Sequence, residues 1–454
     1  MKPSLILLAA LLAHAVPALA ASGHGLAAVQ SSTVSLPAPI YVVTARETFA
    51  GISAITAEAV PVRSRSGTDL ILARTDALGV DRLARYVHER EGRCGGFFAF
   101  GTRAEAEAFL ANDRSAEAIA RIMAYTIDNQ ATVNPWLPQV QAANILATIT
   151  SLSNFHNRYY SSTTGRSAAL WIHDQWQSLA AGRSDVEVAL FEACSDCSTQ
   201  PSVILRINGT DLANEVVVVG GHLDSVNGTA SNPATARSPG ADDDASGIAT
   251  MTEIIRIALA SGWKPRRTVE FQAYAAEEVG LNGSEAIASQ YSSQGINVVG
   301  MLQLDMTNYR TTAPHAMQII SDNSNATLLT HFRALFDAYL APMGMTRRNV
   351  NCGYACSDHS SWTAAGYPAG MVFEAGRIPT SPSDMADFPY IHTINDSLAY
   401  MNNSAEHSVP FAQFGLAFIG EMGKTFDPNA PLLKNGFEGN RIGGPQWVSV
   451  ADSK

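Results

Sequence analysis

At 454 residues, with 46% hydrophobic and 16% charged side chains, the chain is long enough for two or three domains with ordinary cores, and its composition excludes a disordered or low-complexity protein. The formal net charge of −11 sits in residues 126–454, which carry 18 basic against 30 acidic side chains, while residues 22–125 balance 11 Arg against 11 Asp and Glu. An acidic body without a basic stripe argues against nucleic acid or an anionic membrane as partner.

Residues 1–20 read as a secretory signal peptide. Lys2 gives a basic start, Leu5–Val16 is apolar, and Ala18-Leu19-Ala20 supplies the small residues of a cleavage site. The apolar core is too short for an anchor, and no later run is long enough to cross a membrane. The expected location is therefore extracellular, or periplasmic in transit. Residues 21–125 alternate short apolar runs (Ile40–Val43, Leu70–Leu72, Phe97–Phe100) with helical stretches such as Arg103–Ala111. A small α+β unit behind a signal peptide, with its own charge balance, reads as a propeptide, the alternative being a permanent accessory domain.

From residue 126 to 424 the pattern is α/β. Helical spacing covers Ala142–Leu152 and Ala168–Leu179, and strands are expected at Val186–Phe191 and Ser202–Ile207. Val216–Asp224 follows, with four valines, two glycines and then His222 and Asp224; so continuous an apolar run suits a central strand covered on both faces. Downstream come helix Ala245–Ala260, strand Thr268–Ala275, helix Gly280–Ser292, strands Val298–Leu304 and Met317–Ser321 and helix Thr327–Leu340. Helix His359–Ala365, strand Ala369–Glu374 and helix Val409–Lys424 complete the series. Strand–helix alternation at these lengths predicts a doubly wound, mostly parallel sheet flanked by helices. Residues 425–454, rich in Gly, Pro and Asn, read as a loosely held tail. Of the five cysteines, Cys194/Cys197 and Cys352/Cys356 are spaced as small disulfide loops or, less well in an oxidising compartment, as zinc ligands, and Cys94 is left over.

Open α/β sheets build their sites past the carboxyl ends of their strands. Here those ends carry His222 and Asp224, Glu277 and Glu278, and Asp305; a helix start adds Asp242, Asp243 and Asp244, and a late loop adds His392. Each alone has a bland explanation, since carboxylates complement a helix dipole and acids cap exposed edges. Three consecutive carboxylates repel one another unless a cation neutralises them, and an isolated acid after Leu302-Gln-Leu304 is costly to bury without a partner. Together they predict a two-metal site. Two imidazoles with carboxylates suit zinc, one carboxylate bridges, bridging water ionises near neutral pH, and a further carboxylate moves the proton.

These segments resemble the M28 family of zinc aminopeptidases, nearest the secreted bacterial leucyl aminopeptidases of the Vibrio/Aeromonas type. The matching stretches are His222-Leu-Asp224-Ser, Gly240-Ala-Asp-Asp-Asp-Ala-Ser-Gly247, Ala275-Ala-Glu-Glu-Val-Gly-Leu281, Leu302-Gln-Leu-Asp-Met-Thr-Asn-Tyr309, Cys352-Gly-Tyr-Ala-Cys-Ser-Asp-His-Ser-Ser-Trp362 and Ile391-His-Thr393. The resemblance spans about Ile127 to Lys424 and implies a phosphorylase/hydrolase-like zinc exopeptidase fold holding two zinc ions. It implies Asp243 as the bridging ligand, His222 and Asp305 in one shell, Glu278 and His392 in the other, and Glu277 as general base and acid toward a metal-bridging hydroxide. It also implies Asp224 as the partner orienting His222, a cis Asp243–Asp244 peptide and a Cys352–Cys356 disulfide. The implied side-chain pocket comprises Met306, Cys352, Tyr354, Cys356, Met371, Phe373 and Ile391, with Tyr354 also serving the oxyanion. An apolar cup of this kind favours Leu and other large apolar residues at peptide N-termini, and the protein is expected as a monomer. The Ala375–Tyr390 stretch is longer than in those relatives, so the rim aromatic is assigned only by position, to Phe388. Alternatives on the same site are a carboxypeptidase, for which Arg310 or Arg377 would supply the cation, a single-zinc glutamine cyclase, and a non-catalytic binding domain.

Overall fold

The structure is a computed structural model, and it describes residues 38–53, 56–87, 96–115, 124–377, 379–380 and 384–427. The signal peptide, Cys94 and tail residues 428–454 lie outside the described residues. The N-terminal part contains β1 (Ile40–Ala45), α1 (Arg46–Ile52), β2 (Ala57–Arg63), β3 (Asp69–Thr75), α2 (Ala77–Tyr86), β4 (Phe97–Phe100) and α3 (Arg103–Asn112). Its four strands form a sheet of order β2-β3-β1-β4, antiparallel at every described pairing. Thr102 and Glu105 close a capping box on α3, which explains the sharp start of that helix. The expectation had not included α1, α2 or β2. The last of these is mostly exposed, carries Pro61 at a sheet edge and lacks the alternation that marks a half-buried strand.

The larger part holds α4 (Ala142–Asn154), α5 (Thr163–Leu179), β5 (Val186–Phe191), β6 (Ser202–Ile207), β7 (Leu212–His222), α6 (Ala245–Ala260), β8 (Arg267–Tyr274), α7 (Asn282–Gln294) and β9 (Asn297–Leu304). After them come β10 (Met317–Ile320), α8 (Ala326–Tyr339), β11 (Arg347–Val350), α9 (His359–Ala364), β12 (Ala369–Phe373) and α10 (Val409–Gly423). The eight-stranded sheet runs β11-β10-β12-β9-β7-β8-β6-β5. It is parallel through β12-β9-β7-β8 and antiparallel from β8 through β6 to β5. The doubly wound expectation therefore holds at the centre, where the site is, and the β5–β6 hairpin extends the sheet on one side.

β7 occupies that centre, pairing with β8 on one side and β9 on the other. Val217, Val218 and Val219 have no exposed surface, and each such side chain stabilises the fold by about 1.5–3 kcal/mol through burial. The strand begins at Leu212, earlier than its apolar run, because Asn214 and Glu215 precede the covered part of the sheet. α10 is apolar around its circumference and buried along its length, as an internal helix must be. Its one acid, Glu421, is satisfied by the amides of Asp128 and Asn129, by Lys424 and by the Tyr339 hydroxyl. Thr425 pairs with Pro265 in an isolated antiparallel bridge just past α10.

The described residues form one compact unit. Val42, Ile71, Phe97 and Ala99 of the small sheet share an apolar cluster with Ala275, Ala276 and Val279 of the large part. Gly280, at φ +123°, permits this approach: a Cβ there would lie 3.0 Å from that of Ala99.

Candidate metal centre

Four strand or helix ends deliver the site. His222 is the last residue of β7, Glu277 and Glu278 follow β8, Asp305 follows β9, and Asp243 precedes α6. Ala276, Met306 and His392 adopt left-handed backbone conformations at φ +54°, +55° and +55°. Non-glycine residues rarely accept that region, so each turn is held by its surroundings, a feature that clusters at functional sites.

The three consecutive aspartates have three different tasks. Asp242 accepts the Asn308 N–H at 2.9 Å. Asp244 caps α6 by accepting the Gly247 N–H at 2.8 Å, and it also accepts the N–H groups of His222 (3.1 Å) and Met306 (3.2 Å), tying β7 to the end of β9. Asp243 alone faces the site. One of its oxygens lies 2.9 Å from His222 Nε2 and the other 2.9 Å from His392 Nε2. The Asp243–Asp244 peptide is cis, as the resemblance implies.

Two donor groups result, and they share Asp243. His222, Asp243 and Asp305 each offer an atom within 4.8 Å of the others, and so do Asp243, Glu278 and His392. Within them His222 Nε2 lies 3.7 Å from Asp305, and His392 Nε2 lies 3.4 Å from Glu278. All five residues are at most 4% exposed. Asp224 Oδ1 stands 3.3 Å from His222 Nδ1 and accepts the Glu277 N–H at 3.0 Å, while Oδ2 accepts the Glu278 N–H at 3.2 Å. This one carboxylate therefore sets the ring of His222 and the backbone carrying both glutamates. Ser357 donates to Asp305 at 2.6 Å and leaves its second oxygen toward His222.

The electrostatics follow from burial. Burial opposes ionisation of His222, yet Asp305, Asp224 and Asp243 together lift its pKa well above the imidazole range. Burial would raise Asp243 too, but His392 and His222 hold it far below the usual carboxylate range. Glu277 and Glu278 are pushed well up, chiefly by burial, and Glu278 further by the charges of Asp243 and Glu277. Among the described residues neither oxygen of Glu277 has a hydrogen-bond partner, and the Asp305 oxygen facing His222 has only the imidazole, 3.7 Å away. Buried carboxylates without hydrogen-bond donors to match their oxygens, set beside two imidazoles, fit a pair of divalent cations of borderline softness, which zinc is.

The residues expected to form the pocket belong to, or pack against, one apolar cluster. Met306, Cys356, Met371 and Phe373 are buried in the main apolar cluster, with Cys352, Tyr354 and Ile391 half-buried against it. Both cysteine pairs form disulfides, Cys194–Cys197 and Cys352–Cys356. Phe388 departs from expectation: it is fully buried, with Tyr309 4.7 Å and Tyr390 5.6 Å away between ring centroids, so it belongs to the packed interior and not to an open rim. Arg377 forms a two-pronged ion pair with Asp384, and Arg310 donates to the Ala313 carbonyl, so both cations are engaged.

Sequence reasoning missed two supporting residues. Arg158 is fully buried, and its guanidinium donates to the carbonyls of Leu223 (2.9 Å), Pro239 (2.6 Å) and Gly240 (2.8 Å), bracing the loops that hold Asp224 and Asp243. Asp396 accepts the N–H groups of Asp242 and Asp243. Neither lies in a patterned stretch. An aspartate closely following a site histidine is the only local hint.

Residues 202–414 match the profile of peptidase family M28. Leucine aminopeptidase 1 of Arthroderma otae is 38% identical over 305 residues, 64% of this chain and 77% of that protein. The chain belongs to peptidase family M28. As an M28 member it is a metallo-aminopeptidase, a hydrolase acting at peptide N-termini, and zinc is the metal the family implies. Two solved M28-like structures from Legionella pneumophila are similar over more than the family segment. LapB has a TM-score of 0.70 at 28% identity, covering 85% of this chain and all of that one. The LapA aminopeptidase has a TM-score of 0.70 at 27% identity, covering 86% of this chain and all of that one.

Proposed function

We propose that this M28 peptidase is a secreted two-zinc aminopeptidase that releases Leu and other large apolar residues from peptide N-termini. The observation that carries the reading is Asp243, whose two oxygens each stand 2.9 Å from a different imidazole. His222, Asp243 and Asp305 would hold one ion, and Asp243, Glu278 and His392 the other. Zinc so held supplies Lewis-acid polarisation of a peptide carbonyl and makes water acidic enough to attack it near neutral pH.

The remaining work falls to the chain. Glu277, whose two oxygens are unpartnered, takes the proton from the attacking water and gives it to the leaving amine nitrogen. Asp224 keeps that carboxylate in place through the Glu277 N–H. The substrate's α-amine docks beside Asp305, and its side chain enters the cup formed by Met306, Cys352, Tyr354, Cys356, Met371, Phe373 and Ile391. The Tyr354 hydroxyl donates to the oxyanion. Residues 1–20 act as signal peptide and 21–125 as propeptide, 126–424 form the peptidase domain, and 425–454 are a tail on a monomeric enzyme. The two disulfides support an oxidising destination.

The engaged state of Arg310 and Arg377 disfavours a carboxypeptidase, and two donor groups sharing one carboxylate disfavour a single-zinc cyclase. A binding domain without catalysis has no use for Glu277 beside a complete ligand set. Steady-state hydrolysis of Leu-p-nitroanilide and its N-acetylated counterpart tests the proposal. Only the free amine should be cleaved, with activity lost on chelation and restored by zinc; cleavage of the blocked substrate alone overturns it.

A further inference from the structure

The two donor groups are anchored by unequal means. His222 and Asp305 sit at the ends of adjacent central strands, and their backbones are tied together by Asp244, which accepts the N–H groups of His222 and Met306. Asp305 is aimed by Ser357, and the Pro239–Gly240 side of the Asp243 loop is braced by Arg158. His392 has no strand beneath it. It lies in an irregular segment, in a left-handed backbone conformation, with its carbonyl accepting the Gly228 N–H at 3.0 Å.

One residue joins this segment to the shared ligand. Asp396 is 1% exposed and receives three successive amides of the other loop: Ala241 N–H on its carbonyl oxygen (3.2 Å), Asp242 N–H on Oδ1 (2.8 Å) and Asp243 N–H on Oδ2 (3.1 Å). Its own N–H returns to the Thr393 carbonyl at 3.1 Å, closing the turn that follows His392. We infer that Asp396 is a positioning residue that holds His392 in register with Asp243, and so sets affinity at the Asp243–Glu278–His392 group while leaving the His222–Asp243–Asp305 group largely unaffected. The inference rests on the two-ion reading of the site.

The physical reason is the geometry of the clamp. A carboxylate offers two acceptors to two parallel amides; the isosteric Asn offers one acceptor and turns an N–H₂ toward the other amide. Loss of such outer support typically weakens metal binding 10–100-fold. In Asp396→Asn this loss should fall on one ion only.

The test is equilibrium titration of the purified, chelator-stripped protein with Co²⁺, followed by calorimetry and by visible absorption of the bound ion. Wild type should take two ions. Asp396→Asn should bind the first with unchanged affinity and spectrum and the second about 10–100-fold more weakly. Asp396→Glu keeps both acceptors one methylene further out; it should fall between the two and serves if the amide variant does not fold. Equal weakening of both ions would mean general damage to the scaffold, and unchanged binding of both would mean no role; either overturns the inference. A wild type that takes a single ion overturns the two-ion reading and this inference with it.

Discussion

Replacing Glu277 by Gln separates metal binding from proton transfer. The amide has the shape of the carboxyl, and the Glu277 N–H to Asp224 bond at 3.0 Å belongs to the backbone, so the turn that also carries Glu278 persists. Neither oxygen of Glu277 is used in a hydrogen bond, so the substitution leaves no partner stranded. Zinc content should therefore equal that of wild type. A positioned acid–base group contributes about 10²–10⁴ to a rate, and this one acts twice, on the attacking water and on the departing amine. The upper end applies: kcat on Leu-p-nitroanilide should fall about 10⁴-fold, or ~5.4 kcal/mol of barrier. Substrate contacts are untouched, so KM should move less than about threefold, since a group acting only in the transition state lowers kcat and not binding. Elemental analysis and steady-state kinetics on one preparation decide the matter. A variant that has lost zinc, or that keeps more than a tenth of wild-type kcat, refutes the assignment of Glu277.

Arg158→Met should strand the Leu223, Pro239 and Gly240 carbonyls in the interior and cost ~3–5 kcal/mol of stability, read by denaturant unfolding of the metal-free protein; a loss below ~1 kcal/mol would show that the guanidinium is dispensable. Replacing Cys352 and Cys356 by Ser opens a loop of sequence separation 4, which the chain-entropy relation puts at about 2 kcal/mol. It should also raise KM for Leu substrates more than it lowers kcat, and an unchanged KM would remove the disulfide from the pocket wall. Glu285 lines a cavity of about 610 Å³ between the small sheet and α7, together with Glu105, Asp196, Arg65 and Arg114. Burial, then Asp196 and Glu105, push its pKa up to about 7 from an ordinary 4.5. An acid with a raised folded pKa is favoured in its protonated form, so its contribution is fully present below about pH 4.5 and is lost as pH rises to about 7. Melting temperature should fall across that window, and Glu285→Gln should flatten the slope; an equally steep profile in the variant excludes Glu285 as its source.

What the sequence made legible was whatever local pattern dictates. Val216–Val219 reads as a covered strand, and His222, Glu277, Glu278 and Asp305 stand out only together, because acids and an imidazole after three apolar strands have no shared bland use. β11 went unseen because Arg347-Arg-Asn349 is polar and pairs only at the sheet margin. α7 starts two residues later than its composition implies because Leu281 takes a left-handed conformation before it. Arg158 and Asp396 were invisible for a different reason. Their partners are backbone amides and carbonyls, which have no side-chain signature, brought near by tertiary folding from up to 154 residues away. Phe388 was misplaced because nothing local tells an aromatic at a rim from one folded inward over Tyr309.

His222, Asp243, Glu277, Glu278, Asp305 and His392 are all at most 4% exposed, and that depth acts as a ruler. A peptide bond in the middle of a strand or loop would have to bring two chain segments down to that depth, whereas a chain end brings one. Depth by itself thus favours a chain end over an internal bond, before any group recognises an amine.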